Sequence, residues 1–171
     1  MASGLCFPCT VRMTPDKGLG VFADADVSEG ATLWRHTAGA FEVLDERSLT
    51  ALLAAGSRGD AVHVLTHVVS MEEFPGFVVR HHDEGALINH DADPNVRRKS
   101  NAGRYPPFAG ESAADVARAL LHPCFDLVAA RAIAAGDELL MDYNDEPDDP
   151  PFVEEACRRF GVDWDWLQPQ I

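Results

Sequence analysis

The chain has 171 residues, of which 46% are hydrophobic and 25% charged, proportions typical of one globular domain that buries its core without disulfides. Its formal net charge of −14 disfavours direct binding to nucleic acid and favours basic partners. No apolar run approaches the ~18 residues of a membrane span, and no secretory signal is recognisable, so we expect an intracellular, soluble protein.

The first part of the chain is predicted to consist of short strands and one helix. Strands are expected within residues 11–25 and 31–36, on the two sides of a glycine-containing turn. Residues 46–55 are expected to form a helix that begins after an Asp N-cap and stops at Gly56. Residues 60–70 fit helical spacing, but their β-branched content would also suit a buried strand, so both alternatives stay open.

The second part repeats this mixture. Strands are predicted at residues 77–79, 125–132 and 138–143. A helix is predicted at residues 111–121, and another begins at Pro151, in the first-turn position that proline favours. Together these elements predict a mainly β fold with a few short helices, of the α+β class.

Four cysteines are present, Cys6, Cys9, Cys124 and Cys157. The first two form a C-x-x-C, but no second C-x-x-C follows. A structural zinc site and a set of reduced thiols are both compatible with this spacing.

Three segments combine glycine or polar residues with a neighbouring apolar strand. They read KGLGVFA from Lys17, NHDADPN from Asn89 and GDELLMDY from Gly136. Taken singly, each has an ordinary interpretation, as a tight hairpin turn, a polar loop and a turn that leads into a core strand.

Together, and in this order, the three segments resemble the SET domain of protein-lysine methyltransferases. That family shows a G-x-G segment followed by V/L-F-A, then an N-H-S-x-x-P-N-like segment, then a G-E-E-L-x-x-D-Y-like segment. The turns at residues 27–30 and 130–136 fit the family as well. The resemblance implies a SET-domain (β-clip) fold of small curved sheets, with the C-terminal segment threaded beneath a preceding loop as a pseudoknot.

The domain organisation is predicted from the extent of this resemblance. The SET domain is expected to cover residues 11–146, after an N-terminal extension at 1–10. An insertion is expected at about 97–122. Residues 147–171 would form a helix and a tryptophan-containing tail that closes the site in place of the cysteine-rich zinc segment that often follows the domain.

The resemblance implies S-adenosylmethionine as the cofactor and implies no metal. The cofactor would lie against the glycine turn, where missing Cβ atoms permit close approach, and Asn89 and His90 would hold its amino-acid part and its adenine by side-chain and main-chain hydrogen bonds. A tail tryptophan would stack on the adenine, although packing on the core is an equal alternative. The implied cofactor-binding residues are Lys17, Gly18, Leu19, Gly20, Asn89, His90 and Trp164.

Tyr143 corresponds to the family's active-site tyrosine and is the implied catalytic residue, and Met141 and Tyr143 would line the substrate channel. The reaction would methylate the side-chain amine of lysine in a basic protein, a histone or another lysine-rich protein. Two residues depart from the family. Asp91 stands where Ser is common, and Met141 has no hydroxyl at a position where a hydroxyl tends to limit the product to one methyl.

Two other readings remain open. The chain could be a degenerate SET domain that binds a peptide or the cofactor without turnover, which Asp91 and Met141 favour. It could also be an unrelated β-rich binding protein whose motif matches are accidental. Binding of S-adenosylmethionine separates the last reading from the others.

Overall fold

The computed structural model describes residues 3–71, 74–100, 112–121, 125–145 and 149–162. Within these ranges the chain forms ten strands and four α-helices. The strands are β1 (Cys9–Met13), β2 (Leu19–Ala23), β3 (Thr32–Trp34), β4 (Phe41–Leu44), β5 (Val68–Ser70), β6 (Val78–His81), β7 (Asn89–His90), β8 (Val96–Ser100), β9 (Phe125–Ala129) and β10 (Leu140–Met141). The helices are α1 (Glu46–Ala55), α2 (Arg58–Leu65), α3 (Ala113–Leu120) and α4 (Pro151–Phe160).

These strands form three small sheets, which confirms the mainly β, α+β fold class. β1 and β2 pair as an antiparallel hairpin, and β4, β6 and β5 form an antiparallel sheet in that order. The largest sheet has five strands in the order β3-β9-β8-β10-β7. No helix within the described residues combines the length and apolar character that crossing a bilayer requires.

β10 lies inside the five-stranded sheet, parallel to both of its neighbours. It pairs with β7 on one side and with β8 on the other. Residues 91–95, which we call the crossing loop, connect β7 to β8 and therefore pass over β10. Main-chain hydrogen bonds tie the two ends of this loop to the strand, from Asp91 N to Met141 O (3.0 Å) and from Asn95 N to Leu140 O (3.0 Å). This is the threaded arrangement that the resemblance implied.

The main core lies between the five-stranded sheet, β2 and helix α3. Its largest fully buried side chains include Leu33, Ile133 and Leu139. Helix α3 contributes Val116 and Leu120, which are also fully buried. Because α3 falls in the segment expected to be an insertion, that segment supplies part of the main core. The predicted insertion also begins inside β8, and the predicted N-terminal extension ends inside β1.

Helices α1, α2 and α4 form a second layer, which we call the helical layer. Its apolar cluster consists of Leu44, Leu49, Leu53, Ala61, Val64, Leu65, Val78, Val153 and Cys157. Strand β6 joins the two regions because successive side chains of a strand point to opposite faces. Val78 is buried in the helical layer and Val79 in the main core.

Side-chain caps explain where two of these helices begin. The Asp45 carboxylate accepts a hydrogen bond from Ser48 N at 2.7 Å, which confirms the predicted start of α1. Ser57 and Asp60 form a reciprocal capping box at the start of α2. Residues 60–70 therefore contain both structures that the sequence left open, a helix to Leu65 followed by the strand β5.

One prediction of local structure was wrong, and one strand was missed. The expected strand at 138–143 is confined to β10, because the chain turns at Asp142 and continues as a 3₁₀ turn over Tyr143–Asp145. The Asp142 carboxylate stabilises this turn by accepting a hydrogen bond from Asn144 N at 2.9 Å. Strand β4 was not predicted; its four residues are paired with β6 and are too few for a clear alternation.

The described cysteines are free thiols in different parts of the molecule. Cys6 is exposed, Cys9 lies beside the main core, and Cys157 is buried in the helical layer. Burial raises the pKa of Cys157 to about 11. Among the described residues, no group of three or more His, Cys, Asp or Glu side chains could hold a metal ion. Cys124 lies outside the described residues.

Candidate functional site

The three sequence motifs meet at one end of the five-stranded sheet. Residues 137–139 run beside β2, with hydrogen bonds from Ala23 N to Asp137 O (2.9 Å) and from Leu139 N to Val21 O (2.8 Å). The chain then enters β10, which pairs with Asn89 and His90 of β7. Segments that are far apart in the sequence therefore become neighbours through main-chain pairing alone.

Asn89 contacts both of the other motifs. Its side-chain Nδ2 donates to Leu19 O at 3.1 Å and to Glu138 Oε1 at 2.7 Å. An amide nitrogen carries two hydrogens, and both are used in these bonds. The amide oxygen of Asn89 receives no hydrogen bond from any residue that the structure describes, which leaves an acceptor at the meeting point of the motifs.

Glycine occupies positions 18 and 20 for different structural reasons. Gly18 has a φ of +77°, which a side chain would strain, and a Cβ there would meet nothing within 4 Å. At Gly20 a Cβ would lie 2.3 Å from Glu138 Oε1 and 2.9 Å from Asn89 Nδ2. The space of the missing side chain is therefore open at Gly18 and filled by the protein's own side chains at Gly20.

Lys17 ties the glycine turn to the crossing loop. Its Nζ donates to His90 O at 2.9 Å and forms an ion pair with Asp91 Oδ2 at 3.0 Å. A hydrogen bond from Asp93 N, and then the one from Lys17, hold the pKa of Asp91 below its usual range. Both side chains are about one-third exposed, so this ion pair adds little stability. Its effect is to match the charge of Asp91, the residue that departs from the family.

His90 holds the main chain at Tyr143. The Tyr143 N–H donates to His90 Nδ1 at 3.1 Å, and the ring centroids lie 5.4 Å apart. Because Nδ1 accepts this bond, a neutral ring carries its hydrogen on Nε2. The bond also turns the chain out of the strand direction and into the 3₁₀ turn.

The hydroxyl of Tyr143 points back across the sheet. It donates to Ile88 O at 2.6 Å, at the residue that precedes β7. The residue as a whole is 37% exposed. Met141 is half-buried beside the main core and pairs with His90. Of the predicted site residues, only Trp164 lies outside the described residues.

Glu138 and Asn95 are site residues to which the sequence reasoning gave no role. Asn95 is 6% exposed and bridges the crossing loop and β10, donating from Nδ2 to Glu138 O (2.7 Å) and accepting at Oδ1 from Leu140 N (2.9 Å). Both residues lie inside the quoted motifs. Their presence inside these motifs was the signal that could have identified them. Their contacts, however, form only where β10 passes beneath the crossing loop.

Comparison with known proteins gives a family and a fold. The model of the SET-domain family matches residues 18–144. The structure resembles that of the Neurospora SET-domain protein DIM-5, a histone lysine methyltransferase, with a TM-score of 0.53 and 18% sequence identity. The match covers 85% of this chain and 55% of that one, so the chain spans little more than half of its structural relative. No curated protein sequence matches the chain.

Proposed function

This chain belongs to the SET-domain family, and from that premise we propose that it is an S-adenosylmethionine-dependent methyltransferase that modifies lysine side chains of a basic protein. The observation that carries the proposal is the convergence of Asn89, His90 and Tyr143 at the crossing of β10 beneath the loop. A crossing with a purely structural role would not require these polar groups beside an exposed tyrosine.

The chain's own groups fit the proposed cofactor. S-adenosylmethionine carries amino groups that donate hydrogen bonds, and the amide oxygen of Asn89, which accepts from none of the described residues, is an acceptor for one of them. The open space at Gly18 leaves the neighbouring main chain accessible to a ligand. When bound, the cofactor supplies a methyl group that its sulfonium has already activated.

Tyr143 would orient the reacting groups. Its hydroxyl donates to Ile88 O, and because a phenol oxygen is an acceptor as well as a donor, it would accept from an incoming amine or face a polarised methyl. The His90 bond to the Tyr143 main chain holds this hydroxyl in position. A lysine must be neutral to act as a nucleophile, and an apolar channel that excludes water favours its neutral form. The remaining requirement is alignment of amine and methyl.

The proposed substrate is a lysine-rich protein, a histone or another basic protein. The net charge of −14 attracts such a partner, and Asp142 places a carboxylate beside Tyr143. Met141 brings no hydroxyl to the proposed channel, and on this ground we propose that more than one methyl can be added.

The cofactor site is tested by calorimetric titration of S-adenosylmethionine into the wild type and an Asn89→Ala variant. We expect binding to the wild type and an affinity at least about tenfold lower in the variant, because an acceptor is lost. The control is Ser28→Ala, which lies in an exposed turn far from Asn89 in the sequence. It should bind S-adenosylmethionine like the wild type. No heat with a folded wild type would contradict the proposal.

Turnover is tested with lysine-rich proteins and peptides, followed by mass spectrometry. The wild type should add methyl groups to lysine, and Tyr143→Phe should lower the rate about 100-fold or more while still binding the cofactor. Cofactor binding without methyl transfer to any basic substrate would instead support the degenerate, binding-only reading.

A further inference from the structure

Glu138 lies where the third motif leaves the turn and enters β10, half-buried and close to both other motifs. Its main chain forms a β-bridge with Phe22 of β2, and its carbonyl oxygen accepts from the Asn95 side chain at 2.7 Å. The main chain of Glu138 is thus held from two sides, and its carboxylate points into the space beside Gly20.

The carboxylate of Glu138 determines which way the Asn89 amide faces. An Asn side chain has a donor end and an acceptor end of nearly the same shape, so its contacts decide the orientation. Two acceptors, Glu138 Oε1 and Leu19 O, lie 2.7 Å and 3.1 Å from the Asn89 nitrogen. A flipped amide would bring its oxygen against both acceptors, so only one orientation is favourable.

Gly20 makes this contact possible. A Cβ at that position would lie 2.3 Å from the carboxylate oxygen, closer than side-chain atoms approach, so any other residue would push Glu138 away from Asn89. The glycine therefore leaves room for Glu138.

We propose that Glu138 is a positioning residue for cofactor binding, which fixes the Asn89 amide so that its oxygen faces the ligand. Asn89 then accepts from an amino group of S-adenosylmethionine and rejects the cofactor's carboxylate, which has no hydrogen to donate. This inference rests on the proposed function, since the ligand is the cofactor named there, but it assigns a role to Glu138, a residue that the proposed function does not use.

The test is a double-mutant cycle read by titration of S-adenosylmethionine into the full chain. Glu138→Ala should weaken binding about tenfold, because only the longer hydrogen bond to Leu19 O then holds the amide and its nitrogen turns to the ligand more easily. The same change in an Asn89→Ala background should have almost no further effect, since Glu138 acts through Asn89. Glu138→Gln keeps an acceptor oxygen and should restore most of the affinity. Glu29→Ala removes an exposed carboxylate elsewhere and should leave binding unchanged.

A second measurement does not depend on any ligand. In the free protein, the side-chain amide protons of Asn89 should exchange slowly with solvent by NMR, and faster in Glu138→Ala but not in Glu29→Ala. Equal exchange in all three proteins, equal cofactor affinity in wild type and Glu138→Ala, or additive losses in the double variant would each overturn the inference. A wild type that binds no cofactor but keeps the protected amide would overturn the proposed function and leave the contact between Glu138 and Asn89 established.

Discussion

The crossing of β10 and the helical layer are held together by different kinds of contact. At the crossing, side-chain amides, an imidazole and a lysine bond to neighbouring main chain, as Asn89, Asn95, His90 and Lys17 each show. In the helical layer, buried aliphatic side chains such as Leu49 and Leu53 fill the space between α1, α2 and α4.

Because of this difference, the helical layer contributes mainly to the stability of the fold, whereas the crossing also determines the geometry of the site. Apolar contacts are not directional, so a change in the helical layer alters how much surface is buried. Hydrogen bonds have defined donors and acceptors, so a change at the crossing alters where a particular group points. We therefore expect damage to the helical layer to lower the free energy of unfolding while ligand affinity is preserved, and damage to the crossing to lower both.

The largest loss of stability is expected from Leu53→Ala. Leu53 is 2% exposed, and truncation leaves a cavity among packed helices, which should lower the free energy of unfolding by about 3.5 kcal/mol. Chemical denaturation measures this loss, and calorimetry of the folded variant should give the wild-type affinity for the proposed cofactor, S-adenosylmethionine. Leu121→Ala is the matched control, because Leu121 is 47% exposed. A folded Leu53→Ala protein with much weaker cofactor binding would show that the two regions are coupled.

Asn95→Ala should remove the side-chain hydrogen bonds that hold the crossing loop to β10 and the residue before it. The part-buried main-chain groups Glu138 O and Leu140 N then lose their side-chain hydrogen bonds. This loss should lower the free energy of unfolding by about 2.5 kcal/mol. Cofactor affinity should fall as well, because β10 carries the residues next to Asn89. Asn144→Ala removes an exposed amide that bonds Asp142 and should change stability far less. Stability loss with unchanged affinity would show that the crossing does not control the geometry of the site.

Acid should unfold both regions together, since they share β6. Burial lowers the pKa of His81, at the end of that strand, to about 4, and burial likewise lowers the pKa of His36 beside it to about 3. These rings are neutral in the folded protein but protonate below pH ~6.5 in the unfolded chain. Their contribution is complete above pH 6.5 and is lost as the pH falls from there toward the folded pKa values.

Replacing His81 tests this expectation. Between pH 7 and pH 5 the wild type should lose about 2 kcal/mol more unfolding free energy than His81→Gln, by the 1.4 kcal/mol per pKa unit of linkage. Leu121→Ala, which replaces an exposed side chain that does not titrate, should keep the wild-type slope. Acid titrations followed by both far-UV circular dichroism and tryptophan fluorescence should coincide. Separate transitions would mean that the helical layer unfolds on its own.

The smallest effect is expected from Asp45→Ala, which removes the N-cap of α1. The loss should be about 1 kcal/mol, confined to the helical layer, with no change in cofactor affinity. A change in melting temperature relative to the exposed variant Arg47→Ala measures it. A loss above 2 kcal/mol would indicate that Asp45 has a role beyond the cap.

Features that depend on neighbours in sequence were predictable, and the family resemblance predicted the crossing itself, but the individual contacts at the crossing were not predictable. The cap at Asp45 and the proline at the start of α4 are local, and both elements begin where expected. The turn at Tyr143 depends on His90, and the orientation of Asn89 depends on Glu138. Those partners become neighbours only when β10 pairs with β7, so spacing along the sequence carries no information about them. The motifs indicated which segments meet, but only the structure shows which of their atoms are in contact.

β10 comes after every other strand of the described chain, but it lies inside its sheet. A ribosome releases β7, β8 and β9 before β10, so β8 and β9 can pair while the position between β7 and β8 is still empty. During that interval β7 has no partner strand, and β8 presents an open edge of the kind that recruits other polypeptides. Completion of residues 140–141 closes both edges and assembles the site in the same step. An unfinished nascent chain therefore lacks the assembled site and exposes an open strand edge, and both conditions end when β10 is inserted.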